Sequence, residues 1–126
     1  MGAIEAGNQI YYSGRILEKF RSIGATSESK MVTVEEAQLT QEEINYIWVC
    51  LWRESLVEVV LYYPISAPKL EDRIIWEKLK SEDATAEHPM TIEDLGLNEH
   101  EQKLLKKAKK RGSVVEIKKY YIPTNK

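Results

Sequence analysis

The sequence contains one internal repeat, with a period of roughly 58 residues. Similar segments recur in the same order in both halves of the chain, which isolated chance matches would not do. The matching pairs are residues 15–22 with 73–81 (counting Trp76 as one insertion), 25–28 with 84–87, Met31 with Met90, 33–36 with 91–94, Leu39 with Leu97, Arg53 with Arg111, 57–58 with 115–116, and 62–63 with 120–121. We therefore expect two copies of one structural unit, residues 1–65 and residues 66–126.

The clearest local signals lie in the last third of the chain. Thr91 and Asn98 are residue types that cap helix N-termini, and each is followed three residues later by an acidic residue. Gly96 and Gly112 suit helix exits, where the backbone needs a positive φ. Between these signals, residues 99–111 carry apolar residues at helical spacing. The order predicts a short helix, a turn, a longer basic helix and a strand, which is a helix-turn-helix followed by a wing.

Each copy is expected to begin with a further helix, at about residues 14–23 and 71–82. A connection rich in Ser, Thr and Glu follows, and then the short capped helix, the third helix and the β-segment. Residues 9–12 (Gln-Ile-Tyr-Tyr) are rich in β-forming residues and are expected to add an edge strand. Pro64 and Pro68 interrupt the chain between the copies. The predicted fold class is α+β, mainly helical, with short β-segments.

This arrangement resembles the winged-helix superfamily of helix-turn-helix proteins, over residues 10–63 and again over residues 69–122. The resemblance implies two tandem winged-helix-like units. Proteins of this fold are mostly transcription regulators that lay the third helix in the DNA major groove, and a minority are protein-binding modules. In the expected wing, Lys118 and Lys119 stand where a hairpin needs its turn, and this pair is a weaker turn former than Asn-Gly.

The third helix of the first copy, residues 41–53, is apolar or aromatic almost all round from Ile44 to Trp52. A helix without a polar face is usually buried on more than one side, and a unit of this size offers only one core-facing side. The outer side is therefore expected to meet the other copy, a second chain or a ligand; the alternative is that every side chain fills one core. We expect a homodimer through this unit, because most soluble oligomers are twofold. The candidate interface residues are Ile44, Ile47, Trp48, Leu51 and Trp52.

The third helix of the second copy, residues 99–111, instead carries lysines spaced to lie on its solvent side. In the first interpretation the helix contacts DNA phosphates, with His100 and Lys103 nearest the base edges, because groove-reading helices enter by their N-terminal turns. In the second, the lysines form a solvated face that complements the helix dipole. Lysine is a point charge and arginine is scarce here, so phosphate contact is favoured over base reading. The candidate DNA-binding residues are His100, Lys103, Lys106, Lys107, Lys110, Arg111, Lys118 and Lys119.

Net charge limits how the chain can bind a nucleic acid. The formal net charge is −2, so any contact with DNA must come from local asymmetry. Residues 1–66 have a charge balance of −4 and residues 67–126 a balance of +2. The apolar run 46–65 contains Arg53, Glu54 and Glu58, so we expect no membrane span. The single cysteine suits a reducing compartment and no signal peptide is recognised, so we expect a cytoplasmic protein.

Catalytic and metal-binding patterns are weak throughout the sequence. The single cysteine, Cys50, excludes an internal disulfide and is expected to pack in an apolar helix. His88 and His100 lie in different segments without the spacing of a zinc site. No cofactor motif and no catalytic constellation stand out, so we do not expect an enzyme.

Two functions remain. The first is a small DNA-binding transcription regulator that contacts duplex phosphates through the basic helix 99–111. The alternative is a protein–protein interaction adaptor of the tandem winged-helix type with no nucleic-acid role. The helix-turn-helix order and the lysines favour the regulator, whereas the net negative charge and the scarcity of arginine favour the adaptor.

Overall fold

The computed structural model describes residues 2–124, with side chains described from residue 7 onward. The elements of this part of the chain are α1 (Gly2–Ser22), α2 (Gln41–Asn45), α3 (Ile47–Trp52), β1 (Val57–Pro64), α4 (Arg73–Ser81), α5 (Ile92–Leu95), α6 (Glu99–Arg111) and β2 (Val114–Tyr121). The fold is α+β and about 50% helical, and β1 and β2 form a two-stranded antiparallel sheet. None of the described helices is long and apolar enough to cross a membrane.

The chain divides into two compact units. Unit 1 comprises Met1–Val59 with Lys119–Lys126, and unit 2 comprises Val60–Lys118. The strand residues of unit 1 are therefore 57–59 and 119–121, and those of unit 2 are 60–64 and 114–118. The sequence repeat places the boundary at residue 65, after β1, whereas the compact units divide within the strands.

The core of unit 2 follows from its helix caps and apolar spacing. The Thr91 hydroxyl accepts a hydrogen bond from the Asp94 backbone N–H at 3.0 Å, and the Asn98 side chain accepts one from the Glu101 N–H at 2.8 Å. Gly96 has φ 66° at the exit of α5. These local predictions are confirmed. The helices bury Ile75, Leu79, Leu95, Leu97, Leu105 and Ala108 against Tyr62, Ala84 and Val114.

The core of unit 1 is built from the same positions of the repeat as the core of unit 2. Each residue of the buried cluster in unit 1 has a counterpart in the core of unit 2: Ile16 with Ile75, Phe20 with Leu79, Ala25 with Ala84, Ala37 with Leu95, Cys50 with Ala108, Leu56 with Val114, and Tyr120 with Tyr62. Val49 is also buried, but it corresponds to the exposed Lys107. Val32 bridges to Tyr120 as Met90 bridges to Tyr62. The counterpart of Met90 is therefore Val32, and the sequence match with Met31 was wrong by one residue.

Helix α1 is longer than the sequence predicted. The predicted edge strand at residues 9–12 is wrong, because this segment continues the helix. The Tyr12 ring stacks on the Tyr46 ring with centroids 4.9 Å apart. Ser13 is buried in the next position of the helix, and its carbonyl accepts from the Cys50 thiol at 3.7 Å. Packing along one helical stripe thus overrides the β-propensity of the tyrosines.

The region between α1 and β1 also departs from the predicted elements. Residues 34–38 form a turn where the short helix was expected, although Thr33 and Glu36 exchange the two hydrogen bonds of a capping box, at 2.9 and 3.0 Å. The predicted third helix is interrupted at Tyr46 (φ −107°, ψ 6°), which separates α2 from α3. The Thr40 cap of α2 includes the Glu43 carboxylate, which is buried and also contacts Lys19 at 2.6 Å and Arg15 at 3.0 Å.

Left-handed backbone positions repeat in the same way as the core. Three described residues other than glycine have positive φ, namely Gln38 (59°), Glu54 (60°) and Asp83 (63°). Their counterparts in the other copy are Gly96, Gly112 and Gly24, with φ of 66°, 83° and 80°. The fold therefore requires a positive φ at these three positions of each copy. Unit 1 has glycine at one of them (Gly24), and unit 2 has glycine at the other two (Gly96 and Gly112).

We predict that Glu54→Gly stabilises the protein by about 1 kcal/mol, because glycine adopts the left-handed conformation without the Cβ strain of glutamate. The reverse change, Gly112→Glu, should destabilise it by about 1–2 kcal/mol through backbone strain alone. A Cβ at Gly112 would meet no heavy atom within 4 Å, so no steric clash contributes. Denaturant unfolding measures the change in the free energy of unfolding for each variant. The prediction requires an increase for Glu54→Gly and a decrease for Gly112→Glu.

We further predict that a fragment of residues 60–118 folds by itself, whereas a fragment of residues 66–126 is less stable. The first contains the whole core of unit 2, and the second lacks Tyr62. Losing a buried aromatic ring costs roughly 3 kcal/mol, which a unit of this size cannot spare. Thermal unfolding followed by circular dichroism compares the fragments. Equal or greater stability of 66–126 contradicts the division within the strands.

Candidate nucleic-acid interface

Helix α6 is fixed in unit 2 by both ends and by one face. Asn98 and Glu101 form a reciprocal capping box at the start, and Gly112 ends the helix with φ 83°. Leu105 and Ala108 are fully buried on the inner face. The opposite face is therefore held towards solvent, and its side chains are presented on a rigid element.

Four exposed lysines, Lys103, Lys106, Lys107 and Lys110, lie on that outer face, and we call them the lysine ridge. Their spacing of three, four and seven residues makes them neighbours on the helix surface, with Cβ atoms about 5–6 Å apart for adjacent members. Among the described side chains, none of the four forms an ion pair. An uncompensated row of like charges creates a local positive potential that favours an anionic ligand.

His100, another candidate DNA-binding residue, lies just before the N-terminal end of the lysine ridge and is exposed in the first turn of α6. The neighbouring Glu99 is exposed, and the Glu101 carboxylate accepts the Asn98 backbone N–H at 3.0 Å. Acidic side chains in the first turn complement the helix dipole. They also lower the positive potential around His100, so the ridge is most basic from its middle to its C-terminal end.

Arg111, unlike the ridge lysines, is paired with an acidic side chain of its own unit. Its guanidinium donates to the carboxylate of Asp72, which is 2% exposed. The Ser113 hydroxyl donates to the second carboxylate oxygen at 2.8 Å and accepts the Lys69 backbone N–H at 2.9 Å. The structure therefore uses Arg111 to neutralise a buried acid within unit 2, which no local sequence signal indicated.

The last two candidates, Lys118 and Lys119, lie inside β2. Lys118 is exposed and Lys119 is half-buried. The turn expected for a wing does not occur at this pair, because the chain continues as a strand to Tyr121. Another lysine, Lys109, contacts Glu116 at 2.9 Å. Burial raises the pKa of Glu116, but hydrogen bonds from Lys109 and Tyr62 outweigh it, so the net shift of that pKa is downward.

The counterpart of α6 in unit 1 presents tryptophans at two ridge positions. By the repeat, Trp48 corresponds to Lys106 and Trp52 to Lys110, and the two rings are 51% and 77% exposed. The other predicted interface residues lie deeper: Ile44 is half-buried, and Ile47 and Leu51 pack against the core of unit 1. The alternative that all five fill one core is therefore wrong for the two tryptophans.

Cys50 is buried, and burial raises the pKa of its thiol to about 11, so it stays protonated and unreactive at neutral pH. This agrees with the packing role predicted for it. No group of three or more His, Cys, Asp or Glu side chains in the described part of the chain is arranged to hold a metal ion.

We predict that Arg111→Ala destabilises unit 2 by about 2 kcal/mol or more, because it leaves the Asp72 carboxylate buried without its cation. Lys110→Ala, one residue earlier, removes an exposed lysine that has no partner among the described side chains and should change stability by less than about 0.5 kcal/mol. Urea denaturation of the two variants provides the comparison. Similar stability of both would show that Asp72 does not depend on Arg111.

Comparisons of this chain with protein-family models, with curated proteins and with solved structures found no match.

Proposed function

We propose that this protein is a small DNA-binding transcription regulator, built from two tandem winged-helix-like units, in which α6 contacts the phosphates of duplex DNA. The observation that carries the proposal is the lysine ridge. Its four charges stand on one exposed helix face, and none is neutralised by another described side chain. Phosphate contacts of this kind supply most of the sequence-independent affinity of DNA-binding proteins.

The local architecture supports this use of the ridge. α5 and α6 are joined by the Gly96 turn, and each begins at a capped residue, as in a helix-turn-helix. A helix supported on its inner face presents an outer face that fits the width of the DNA major groove. The ridge lysines then reach phosphates, and His100 lies at the N-terminal turn, the end that enters the groove in such complexes.

The chemistry of the ridge favours phosphate contact over base reading. Lysine is a flexible point charge, whereas arginine reads guanine through two parallel hydrogen bonds. Arg111, the arginine of α6, is already paired with Asp72. We therefore expect moderate affinity, with a Kd of about 10⁻⁶–10⁻⁴ M at physiological salt, and weak discrimination between sequences.

We predict that the wild-type chain binds a fluorescent duplex with a salt slope of about −3 to −4 in log K against log salt, as four phosphate contacts require. Reversing Lys103, Lys106 and Lys110 to glutamate should lower the affinity roughly 100-fold or more and flatten the slope. Fluorescence anisotropy titrations at several salt concentrations measure both quantities.

The matched control reverses three exposed basic residues away from α6: Arg21, Lys30 and Lys69. Both triple variants change the net charge by the same amount, so a general electrostatic effect would weaken the DNA binding of both variants equally. The proposal requires the ridge variant to lose much more affinity than the control. Absence of binding by the wild-type chain at low salt, or binding that salt does not weaken, would refute it.

The exposure of Trp48 and Trp52 favours a second candidate function, an interaction adaptor of the tandem winged-helix type. In that case the aromatic side of α3 docks another protein, and the ridge only keeps the chain soluble. The same ridge variant separates the two candidates, because an adaptor keeps its partner after the charges of α6 are reversed. A regulator loses its DNA.

A further inference from the structure

We propose that unit 1 contains a binding site for a primary alkylammonium group, the chemical group carried by small linear amines and by lysine side chains. The site is a cavity of about 570 Å³ beside the Glu58 carboxylate. The residues that line it all belong to unit 1, and they are Leu51, Glu54, Leu56, Val57, Glu58 and Pro123. The proposal is independent of any nucleic-acid binding.

The equivalent position of unit 2 already holds an alkylammonium group. The repeat places Glu116 at the position of Glu58. One carboxylate oxygen of Glu116, Oε2, accepts the Tyr62 hydroxyl at 3.0 Å, and the other, Oε1, contacts the Lys109 ammonium at 2.9 Å. All three residues belong to unit 2. In that unit the fold therefore satisfies this carboxylate with one hydroxyl and one ammonium group.

Unit 1 keeps the hydroxyl but has no ammonium at this place. Glu58 Oε2 accepts the Tyr120 hydroxyl at 2.9 Å, as its counterpart does in unit 2. The position of Lys109, however, is occupied by Leu51, which carries no charge. Among the described side chains, Glu58 forms no ion pair. The half-buried Glu58 carboxylate thus lacks the cation that its counterpart has.

The cavity lies where that cation is missing. Leu51 and Glu58 both line it, so it lies between the two positions that the Lys109–Glu116 ion pair joins in unit 2. The apolar side chains of the lining suit the methylene groups of a linear amine, and the carboxylate suits its ammonium. A bare metal ion fits less well, because it requires several oxygen ligands. No group of three or more potential metal ligands occurs among the described residues.

Glu54 adds a second carboxylate to the lining of the cavity. It has φ 60°, whereas unit 2 has Gly112 at this position. Glutamate is strained in the left-handed conformation and glycine is not, so Glu54 is unfavourable for folding but favourable for holding a cation. Glu54→Gly is therefore expected to stabilise the fold and to weaken ligand binding, which separates the two effects.

The first test is an amide NMR titration of the full-length chain with n-butylammonium chloride, which has the chain length of a lysine side chain. Potassium chloride keeps the ionic strength constant. We expect saturable shifts for residues 51–58, with a Kd on the order of 1 mM for so small a ligand. Glu58→Gln retains an acceptor for the Tyr120 hydroxyl but removes the charge, so it should raise the Kd at least ~10-fold.

The matched control is Glu116→Gln, because it changes the net charge equally but lies in unit 2, where Lys109 occupies the equivalent position. It should leave the Kd unchanged. Leu51→Lys supplies unit 1 with an internal ammonium group and should abolish saturable binding. Glu54→Gly should raise the Kd while the midpoint of denaturant unfolding also rises. Circular dichroism checks that every variant is folded.

A second ligand distinguishes the two sources of the alkylammonium group. If Nα-acetyl-lysine methylamide binds as tightly as n-butylammonium, the site accepts a lysine of another protein, whereas much weaker binding assigns it to a free amine. Absence of saturable binding of n-butylammonium up to about 50 mM overturns the proposal. So does a Kd that Glu58→Gln and Glu116→Gln change equally, or binding that survives Leu51→Lys.

Discussion

The antiparallel pairing of β1 with β2 is the constraint on which both units depend. Each unit is completed by a tyrosine that lies in the strand of the other sequence copy: Tyr120 in unit 1 and Tyr62 in unit 2. The hydroxyls of these residues donate to Glu58 and Glu116, at 2.9 and 3.0 Å. Burial, followed by the neighbouring carboxylate, raises the pKa of Tyr62 to about 12 and also raises that of Tyr120, so both remain donors at neutral pH. Unit 1 can therefore complete its core only when Tyr120 of β2 is in place.

Within this common framework the two copies differ mainly at the surface. The positions of the shared buried clusters, the caps and the left-handed positions are preserved, because changing them exposes apolar area or strains the backbone. The positions of Trp48 and Trp52, and of their counterparts Lys106 and Lys110, are exposed and face no such constraint. One copy has placed lysines there and the other tryptophans, at a net cost in folding energy that is small for surface substitutions. The two units therefore differ most in the side chains that these exposed helix faces present to solvent.

The sequence predicted the features that depend on neighbouring residues. The caps at Thr91 and Asn98 and the glycine at 96 follow from local hydrogen bonding and φ, and the exposure of the ridge follows from helical spacing. The α+β class and the buried Cys50 were predicted for the same reason. Features set by distant residues were missed: the pairing of β1 with β2, the helical state of residues 9–12, and the contact of Arg111 with Asp72 across 39 residues.

The buried carboxylate of Asp72 explains why the arginine of the third helix has different roles in the two units. Arg53 and Arg111 occupy the same position of the repeat, but the counterpart of Asp72 in unit 1 is Ser13, aligned through the neighbouring buried pair of Ile16 and Ile75. In unit 2 the arginine is bound to the acid, which removes it from the ridge and leaves four lysines as point charges. In unit 1 the arginine stays exposed beside Trp52. Because a buried carboxylate requires its cation, the presence or absence of Asp72 decides whether this arginine stabilises the fold or is available at the surface.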